Sequence, residues 1–593
     1  MRHRDQPLRP AAPLSLIWMF LLLALCGLAA GSARAERSVD GEEELLPIGE
    51  TPEEMAARRF LLPPALVSDP PPTPPLRNVA EFEPSTGVLI RYPLGIPYNL
   101  INEMAEDVML HVIVSSTYQQ QAINNFAANG VNMARVQWVV ANNESIWTRD
   151  YGPWFVFDGI GQQVILDHYY NRPSRPNDNL IPIVLGQLWG IPVVTHDLWH
   201  TGGNYMTEGH GLSYSSNLVW NENSGMTHAQ IAQFMLDYYG VDPYHVLPDI
   251  SPSGIHHIDT WAKLLDEETV LMKRVAPTHA DYARIEANTA TIATLTNKYG
   301  RPFRVVRVDC PSIPSGNVAS YTNSLILNNK VLVPTFNLPA ADAAALQVYR
   351  DNMPGYEVLG FYYSGWLTDD ALHCRAMNIF DRYLLRMDHN PIQEGTAGVA
   401  VPVTAYIDDR SGAGLDMTAT ALHWRVSGEP SYHTVALAPE PEPDWYAATI
   451  PGQPAGTQVE YYLTAADLGG RAVARPRPAP AAAYRFTVAG PAGLAATAAA
   501  PAGLTLAAPA PNPFNPATRI RFTLPVASPV VLSIVDVSGR EIARLVDRTL
   551  AAGSHAIEWN GRSGAGGPAA SGVYLVRLEA GGRLLTARAV LLQ

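Results

Sequence analysis

The chain changes its hydrophobic periodicity twice, and those changes divide it. From Val79 onward, short apolar runs such as Gly87-Val88-Leu89-Ile90 and Met109-Leu110-His111-Val112-Ile113-Val114 predict buried strands. They alternate with helically spaced stretches, Ala229 to Tyr239 and His279 to Tyr299 among them. The alternation persists to about Tyr383 and predicts one α/β domain over residues 77–388. After Pro391 the helical spacing is gone. Val401-Pro402-Val403-Thr404-Ala405-Tyr406-Ile407, Leu422 to Val426 and Val459 to Leu463 alternate as half-buried strands do, which predicts a β-sandwich over 389–488. Residues 489–506 hold Ala, Pro and Gly without a charge and predict a linker. Strand patterns return at Ile520 to Leu524, Val530 to Val537, Gly553 to Trp559 and Gly572 to Leu578, predicting a second sandwich over 507–593.

Upstream of the α/β domain, residues 36–76 are acidic and then proline-rich, which predicts an extended, poorly ordered leader. Residues 1–35 carry Arg2, His3, Arg4 and Arg9, an apolar run from Leu14 to Ala30, and the small-x-small Ala33-Arg34-Ala35. This is the layout of a secretory signal cleaved after Ala35, with an uncleaved membrane anchor as the other reading of the run. The mature chain is therefore expected outside the cytoplasm.

Composition adds exclusions. Of 593 residues, 47% are hydrophobic, enough for sizeable cores, and the net charge of −14 argues against nucleic acid as a main partner. Only three cysteines occur; Cys26 falls in the signal, leaving Cys310 and Cys374, with no C-x-x-C spacing of a metal site. In an oxidising setting these two can pair as a disulfide. The other reading makes Cys374, in Asp370-Ala371-Leu372-His373-Cys374-Arg375, a nucleophile served by distant His and acidic groups.

Candidates for those groups lie upstream. In Trp147-Thr148-Arg149-Asp150-Tyr151-Gly152-Pro153-Trp154, an indole and a carboxylate three residues apart can hold a planar cation, one by its face and one by forked hydrogen bonds. The plainer reading puts Trp147 in the core and pairs Arg149 with Asp150. In His256-His257-Ile258-Asp259-Thr260-Trp261, read as a strand end, period two puts His257 and Asp259 on one side, as a proton carrier beside a second carboxylate requires. A structural histidine or a pair of metal ligands are the competing readings. Asn323 precedes an apolar strand, a usual place for a functional loop residue and an ordinary place for a turn.

Taken together these motifs carry a resemblance. Trp147-x-Arg149-Asp150-x-Gly152-Pro153, Gly202-Gly203-Asn204, His257-x-Asp259, Asn323-Ser324-Leu325 and Leu372-His373-Cys374-Arg375 follow the order seen in guanidine-modifying deiminases, agmatine deiminases included. Longer strings, Ala80-Glu81-Phe82-Glu83-Pro84, Thr201 to Thr207, Tyr321 to Asn329 and Met353 to Val358, make residues 77–485 similar to the Porphyromonas-type peptidylarginine deiminases. The resemblance implies a five-bladed, pseudo-symmetric α/β propeller with the site at its centre, followed by an immunoglobulin-like domain. It implies hydrolysis of an arginine guanidinium to citrulline and ammonia without a cofactor. Cys374 would be the nucleophile, Asp150 and Asp259 the guanidinium clamps, His257 the proton carrier, Asn323 the orienting residue and Trp147 a cover for one face. A protonated His257 and the substrate's own charge would lower the thiol's pKa. His373, beside the thiol, looks incidental.

The family's Asn-Arg-Pro-Arg-Pro loop, whose arginines bind the free carboxylate of a C-terminal arginine, reads here Asn171-Arg172-Pro173-Ser174-Arg175-Pro176. Ser174 is inserted, and Gly254 stands where the family has a tyrosine, so the resemblance carries the chemistry further than the substrate. Agmatine is the rival substrate, and a catalytically inactive surface-interaction protein the rival class. No D-x-D-x-D-G loop is present, and no metal or calcium requirement is expected. At the other end, Asn512-Pro513-Phe514-Asn515-Pro516, Asp536-Val537-Ser538-Gly539-Arg540 and Ser571-Gly572-Val573-Tyr574 resemble flagellar hook-cap immunoglobulin-like domains, close to type IX secretion sorting domains. That resemblance implies secretion machinery as a partner and an outer-membrane-surface or extracellular location.

Overall fold

A computed structural model describes residues 36–591, except 41–43, 59–67, 252–253, 314–316, 368–369, 491–503 and short stretches after 507. The signal segment, most of the linker and parts of the Asn512–Pro516 and Asp536–Arg540 motifs lie outside the described residues.

Residues 77–380 build five separate mixed sheets of three or four strands. Four follow one pattern: an antiparallel pair, then a helix, then a strand parallel to the second member. They are Trp154–Phe157, Gln163–Tyr170 and Val193–His200; Met206–Thr207, Ser213–Ser216 and Tyr244–Leu247; Ala262–Leu264, Thr269–Arg274 and Arg304–Asp309; Leu325–Leu327, Lys330–Thr335 and Glu357–Tyr362. In the remaining sheet, Ser85–Arg91, Met109–Val114 and Val136–Val140 are parallel, and the antiparallel partner is Met377–Phe380 from the far end of the domain. The two ends of the domain are thus tied in one sheet, while no sheet closes on itself among the described residues.

The apolar runs become strands because helices cover them. Val88, Ile90, Leu110, Val112 and Val270 are fully inside the main core. The helix His228–Tyr239 begins at Thr227, which caps it reciprocally with Gln230, and ends in left-handed Gly240. The helix expected over 279–299 forms only at Tyr282–Ile292.

Two sandwiches follow. In the first, the inner faces bring together Val403, Ile407, Leu422, Tyr461 and Phe486. It recruits Leu385–Asp388, antiparallel to Val401–Asp409, and so begins earlier than residue 389. Arg475 of this sandwich reaches Glu267 of the α/β domain at 2.8 Å, and Arg477 donates to the Phe82 carbonyl. The second packs Ile520, Leu532, Val576 and Trp559 between its sheets.

The leader departs from its composition. Glu36–Arg37 pairs with Glu44–Leu45, residues Pro52–Arg58 form a helix, and Leu45 and Ile48 are buried in the same apolar cluster as Trp147 and Cys374. Proline content reports local extension; it carries no information on whether the extended chain docks.

Candidate active site

Each sheet is preceded by a short turn, and the five turns carry the candidate residues. Thr148–Tyr151 leads to Trp154, Gly202–Asn204 to Met206, Ile258–Thr260 to Ala262, Asn323 to Leu325, and His373–Arg375 to Met377. One structural position, used five times, delivers the side chains to a common point. His257 and Asp259 are therefore not on a strand: His257 opens a 3₁₀ turn, and the two converge through that turn rather than through period two.

Gly203 marks the point of convergence. A Cβ placed there would lie 2.6 Å from His257 Nδ1, 2.8 Å from Asp150 Oδ1 and 3.3 Å from Asp259 Oδ2. The Gly203 amide donates to Asp150 Oδ1 at 3.2 Å, and His257 Nδ1 lies 3.5 Å from the same oxygen. Neighbouring Gly202 is fixed by the close approach of the Arg149 carbonyl, 1.9 Å from where its Cβ would stand.

The thiol joins this group. Cys374 Sγ is 3.6 Å from Asp259 Oδ2 and receives Asn323 Nδ2 at 3.3 Å. The Asn323 Oδ1 atom accepts from the amides of Ala371, His373 and Cys374, so one side chain holds both the turn and the sulfur. Neither Cys374 nor Cys310 is disulfide-bonded, and both are buried. Cys310 sits in the main core, away from the cluster of Cys374.

Cys374, His257 and Asp150 have no exposed surface. Among the described residues, Asp150 Oδ2, Asp259 Oδ1 and both ring nitrogens of His257 are buried without a hydrogen-bond partner. Buried polar atoms are nearly always paired, so such a cluster marks a place for a polar ligand. Burial, then the nearby charge of Asp259, pushes the Asp150 carboxyl up to about 7. Burial also holds the His257 imidazole down to about 3, and it pushes the Cys374 thiol well above its ordinary range, with Asp259 and Asp150 adding to the push. These directions run against an imidazolium lowering the thiol's pKa, since burial favours a neutral imidazole and a protonated thiol.

Three residues play parts other than those read from sequence. His373 is not incidental: Nδ1 lies 2.6 Å from Asp259 Oδ2 and Nε2 lies 2.6 Å from Glu81 Oε2, with Glu81 also bound by Lys263 at 2.7 Å. Arg149 is not paired with Asp150 but donates to the Asn378 side-chain oxygen and the His373 carbonyl. Arg375 stacks its guanidinium 5.1 Å from the Trp147 ring while bonding Asp370 and the carbonyls of Gly95 and Gly365. One face of Trp147 is therefore taken by this chain's own cation, and its Nε1 donates to the Leu46 carbonyl.

Arg172 and Arg175 are buried, and the Arg172 charge acts on Asp150. Arg172 donates to the Ile48 and Asn171 carbonyls; Arg175 meets the Glu54 carboxylate and the carbonyls of Pro47 and Gly49. Both arginines bind the leader. Among the described residues, no group of three or more His, Cys, Asp or Glu is placed to hold a metal ion.

The sequence profile of the Porphyromonas-type peptidyl-arginine deiminases matches residues 79–379, which contain every one of these turns. The chain belongs to this family. The profile of FlgD Ig-like domains matches residues 514–583 in the second sandwich. Among curated relatives, a putative agmatine deiminase of Legionella pneumophila is 25% identical over 36% of this chain and 66% of its own length. An agmatine deiminase of Pseudomonas putida is 24% identical over 39% of this chain and 73% of that protein, and one of Medicago truncatula 23% identical over 50% and 94%. The matches thus span just under two thirds of the Legionella relatives, at 66% and 65% in two strains. Among solved structures, a putative arginine deiminase from Porphyromonas gingivalis aligns with 52% of this chain and 99% of its own, at TM-score 0.47 and 22% identity. Agmatine deiminase of Enterococcus faecalis aligns with 57% and 100%, at 0.46 and 18%.

Proposed function

We propose that this family member is a guanidino-group deiminase that hydrolyses the arginine side chain of peptides, at a C-terminal arginine, to citrulline and ammonia. The observation that carries the reading is the cage around Gly203: two carboxylates and an imidazole with unmade hydrogen bonds, and a thiol 3.6 Å from one carboxylate. A guanidinium is planar and cationic, and its N–H donors match the unpaired carboxylate oxygens of Asp150 and Asp259. Its charge also answers the electrostatics. A cation between the carboxylates favours ionised Asp150 and offsets the carboxylate charge that adds to burial in keeping Cys374 protonated.

The chemistry then runs on this chain's own groups. Cys374 attacks the guanidinium carbon as its proton passes to neutral His257. The imidazolium returns that proton to the departing nitrogen, and ammonia leaves a thiouronium on the sulfur. Water attacks the same carbon, giving a proton to His257; the C–S bond breaks as the hydroxyl proton passes to sulfur and the ureido carbonyl forms, and the imidazolium releases its proton, which leaves with ammonia as ammonium. Asn323 holds the sulfur in line throughout, and His373 keeps Asp259 oriented between Glu81 and the substrate. The five sheets with equivalent turns support a five-bladed, pseudo-symmetric propeller centred on Gly203.

The C-terminal arginine preference rests on Arg172 and Arg175 beside the cage, which offer positive charge to a carboxylate and oppose agmatine's distal amine. Agmatine remains the second reading because the curated relatives carry that name. The signal-like start and the hook-cap-like end suit an exported protein acting on extracellular peptides, with secretion machinery as the partner of the last domain. The test is ureido product formation from peptides ending in arginine, from internal arginine and from agmatine, with Cys374→Ala as control. Faster turnover of agmatine would reassign the substrate, and no product from any guanidine would favour the surface-interaction role.

A further inference from the structure

We infer that residues 44–58 are a built-in occupant of the peptide side of the active site, with the Glu54 carboxylate standing where a substrate's terminal carboxylate would bind. The inference rests on the reading of Arg172 and Arg175 as carboxylate-binding residues.

Glu54 meets Arg175 in the two-point geometry by which arginine recognises a carboxylate: Nε to Oε1 at 2.8 Å and Nη2 to Oε2 at 3.0 Å. The Glu54 carboxylate also receives the Ser174 hydroxyl at 3.1 Å and the Thr51 amide at 2.7 Å. The Thr51 hydroxyl in turn receives the Glu54 amide, so the carboxylate is presented from a helix start with a reciprocal cap. Ser174 is the residue inserted in this chain's version of the arginine loop. The departure from the family pattern thus lies at the contact with the leader.

The rest of the segment fits a peptide occupant as well. Arg175 Nη2 holds the Pro47 and Gly49 carbonyls at 2.8 and 2.9 Å, Arg172 Nε holds that of Ile48 at 3.1 Å, and Trp147 Nε1 holds that of Leu46 at 3.1 Å. The backbone of residues 46–49 is thereby gripped at every carbonyl, by three side chains to which the family resemblance gives substrate-binding roles. Leu45 and Ile48 press into the apolar cluster that contains Trp147, Ile255 and Cys374. With this segment seated, the nucleophile, the proton carrier and one clamp have no exposed surface. A peptide substrate and residues 44–58 compete for the same two arginines, so the seated form is closed to peptides and displacement of the segment opens it.

The test uses the full chain with Glu54→Gln and, separately, Ile48→Asp, and reads the rate of Cys374 alkylation by iodoacetamide by peptide mass spectrometry. This readout needs no substrate. Cys374 is expected to react at least tenfold faster in both variants than in wild type, with Cys310 unchanged. A synthetic peptide of residues 44–58 is expected to restore protection, and the same peptide with glutamine for Glu54 to fail. Equal Cys374 rates in wild type and variants, or a parallel rise at Cys310 in both, would overturn the inference. If the variants expose Cys374 yet no guanidine is turned over, the substrate reading fails and the occupant stands. If wild type deiminates C-terminal arginine at the variants' rate with equal labelling, the substrate reading stands and the occupant fails.

Discussion

Gly203→Ala tests the geometry of the site with one methyl group. The backbone at 203 is in a conformation open to any residue, so the substitution adds volume and nothing else. The new Cβ would start 2.6 Å from His257 Nδ1 and 2.8 Å from Asp150 Oδ1, against an ordinary contact of 3.4 Å, so each group must retreat by ~0.6–0.8 Å. Both are fully buried, and the displacement has nowhere to go but into the turns that carry them. Misplacement on the order of 1 Å costs a reaction about 10²-fold, because the reacting atoms leave their near-attack distance. Overpacking of this kind costs about 1–3 kcal/mol of stability, which a domain with this core survives. The expected result is a fall of roughly 10²-fold in kcat/KM for ureido product formation on whichever guanidine wild type prefers. The far-ultraviolet circular dichroism spectrum should be unchanged and the melting temperature modestly lower. Activity within about threefold of wild type in a folded variant would refute the convergence of His257 and Asp150 on Gly203, because ~10²-fold is the expectation for such a shift.

Three further outcomes follow from the same contacts. Asp150 sits at about 7 because of burial and Asp259, and it faces Arg172, Thr201 and the Gly203 amide as well. Its raised value means a neutral clamp below that pH, so kcat/KM should fall about tenfold per pH unit on the acid side and level off above it, and a flat profile from pH 5 to 8 would contradict it. For Asn323, the aspartate variant keeps the acceptor for three backbone amides but removes the donor to sulfur and brings a negative charge to it. It should fold as wild type and lose at least ~10²-fold in kcat, whereas Asn323→Ala should also lose about 1–3 kcal/mol in denaturant unfolding. His373→Gln should raise KM more than it lowers kcat, since it frees Asp259 rather than removing a reacting group; a pure kcat loss would place His373 in the chemistry instead.

What could be read from sequence divides along a physical line. Strand and helix patterning follows from local spacing, so His228–Tyr239, Met109–Val114 and the sandwich strands sit where the periodicity puts them. The candidate residues were picked out through the resemblance, since each motif alone had a structural reading as well, and the structure brings Asp150, His257, Asp259, Asn323 and Cys374 together. The five sheets were not legible: their repeated pattern is one of connectivity, and strands of two to eight residues are filled by whatever apolar residue packs. The parts of His373, Gly203 and Arg375 were hidden for the same reason, as each depends on a partner more than fifty residues away. The leader shows the reverse error. Its prolines and acids predict an extended chain, whereas the segment pairs as a hairpin, forms the helix Pro52–Arg58 and presents the 46–49 carbonyls and Glu54 to buried side chains.

The electrostatics of the cage bear on turnover as well as on binding. A high Asp150, a high Cys374 and a low His257 share one leading cause, burial that strips water from each charged form; the neighbouring carboxylates add to the first two and oppose the third. On the proposed function, a guanidinium would favour ionised Asp150 and offset the carboxylate charge at the thiol, while leaving the imidazole neutral. The product inverts the balance. A ureido group is planar and offers N–H donors like the substrate, but it carries no charge. Once ammonia has left and water has added, the carboxylates again face each other without a cation between them. Asp150 returns toward its raised value, the thiol recovers its proton, and the attraction that held the substrate is lost. On the proposed function charge would set the direction of the cycle, and the seated Glu54 would act on a separate element, the arginine pair, which would discriminate by the carboxylate at the other end of the residue.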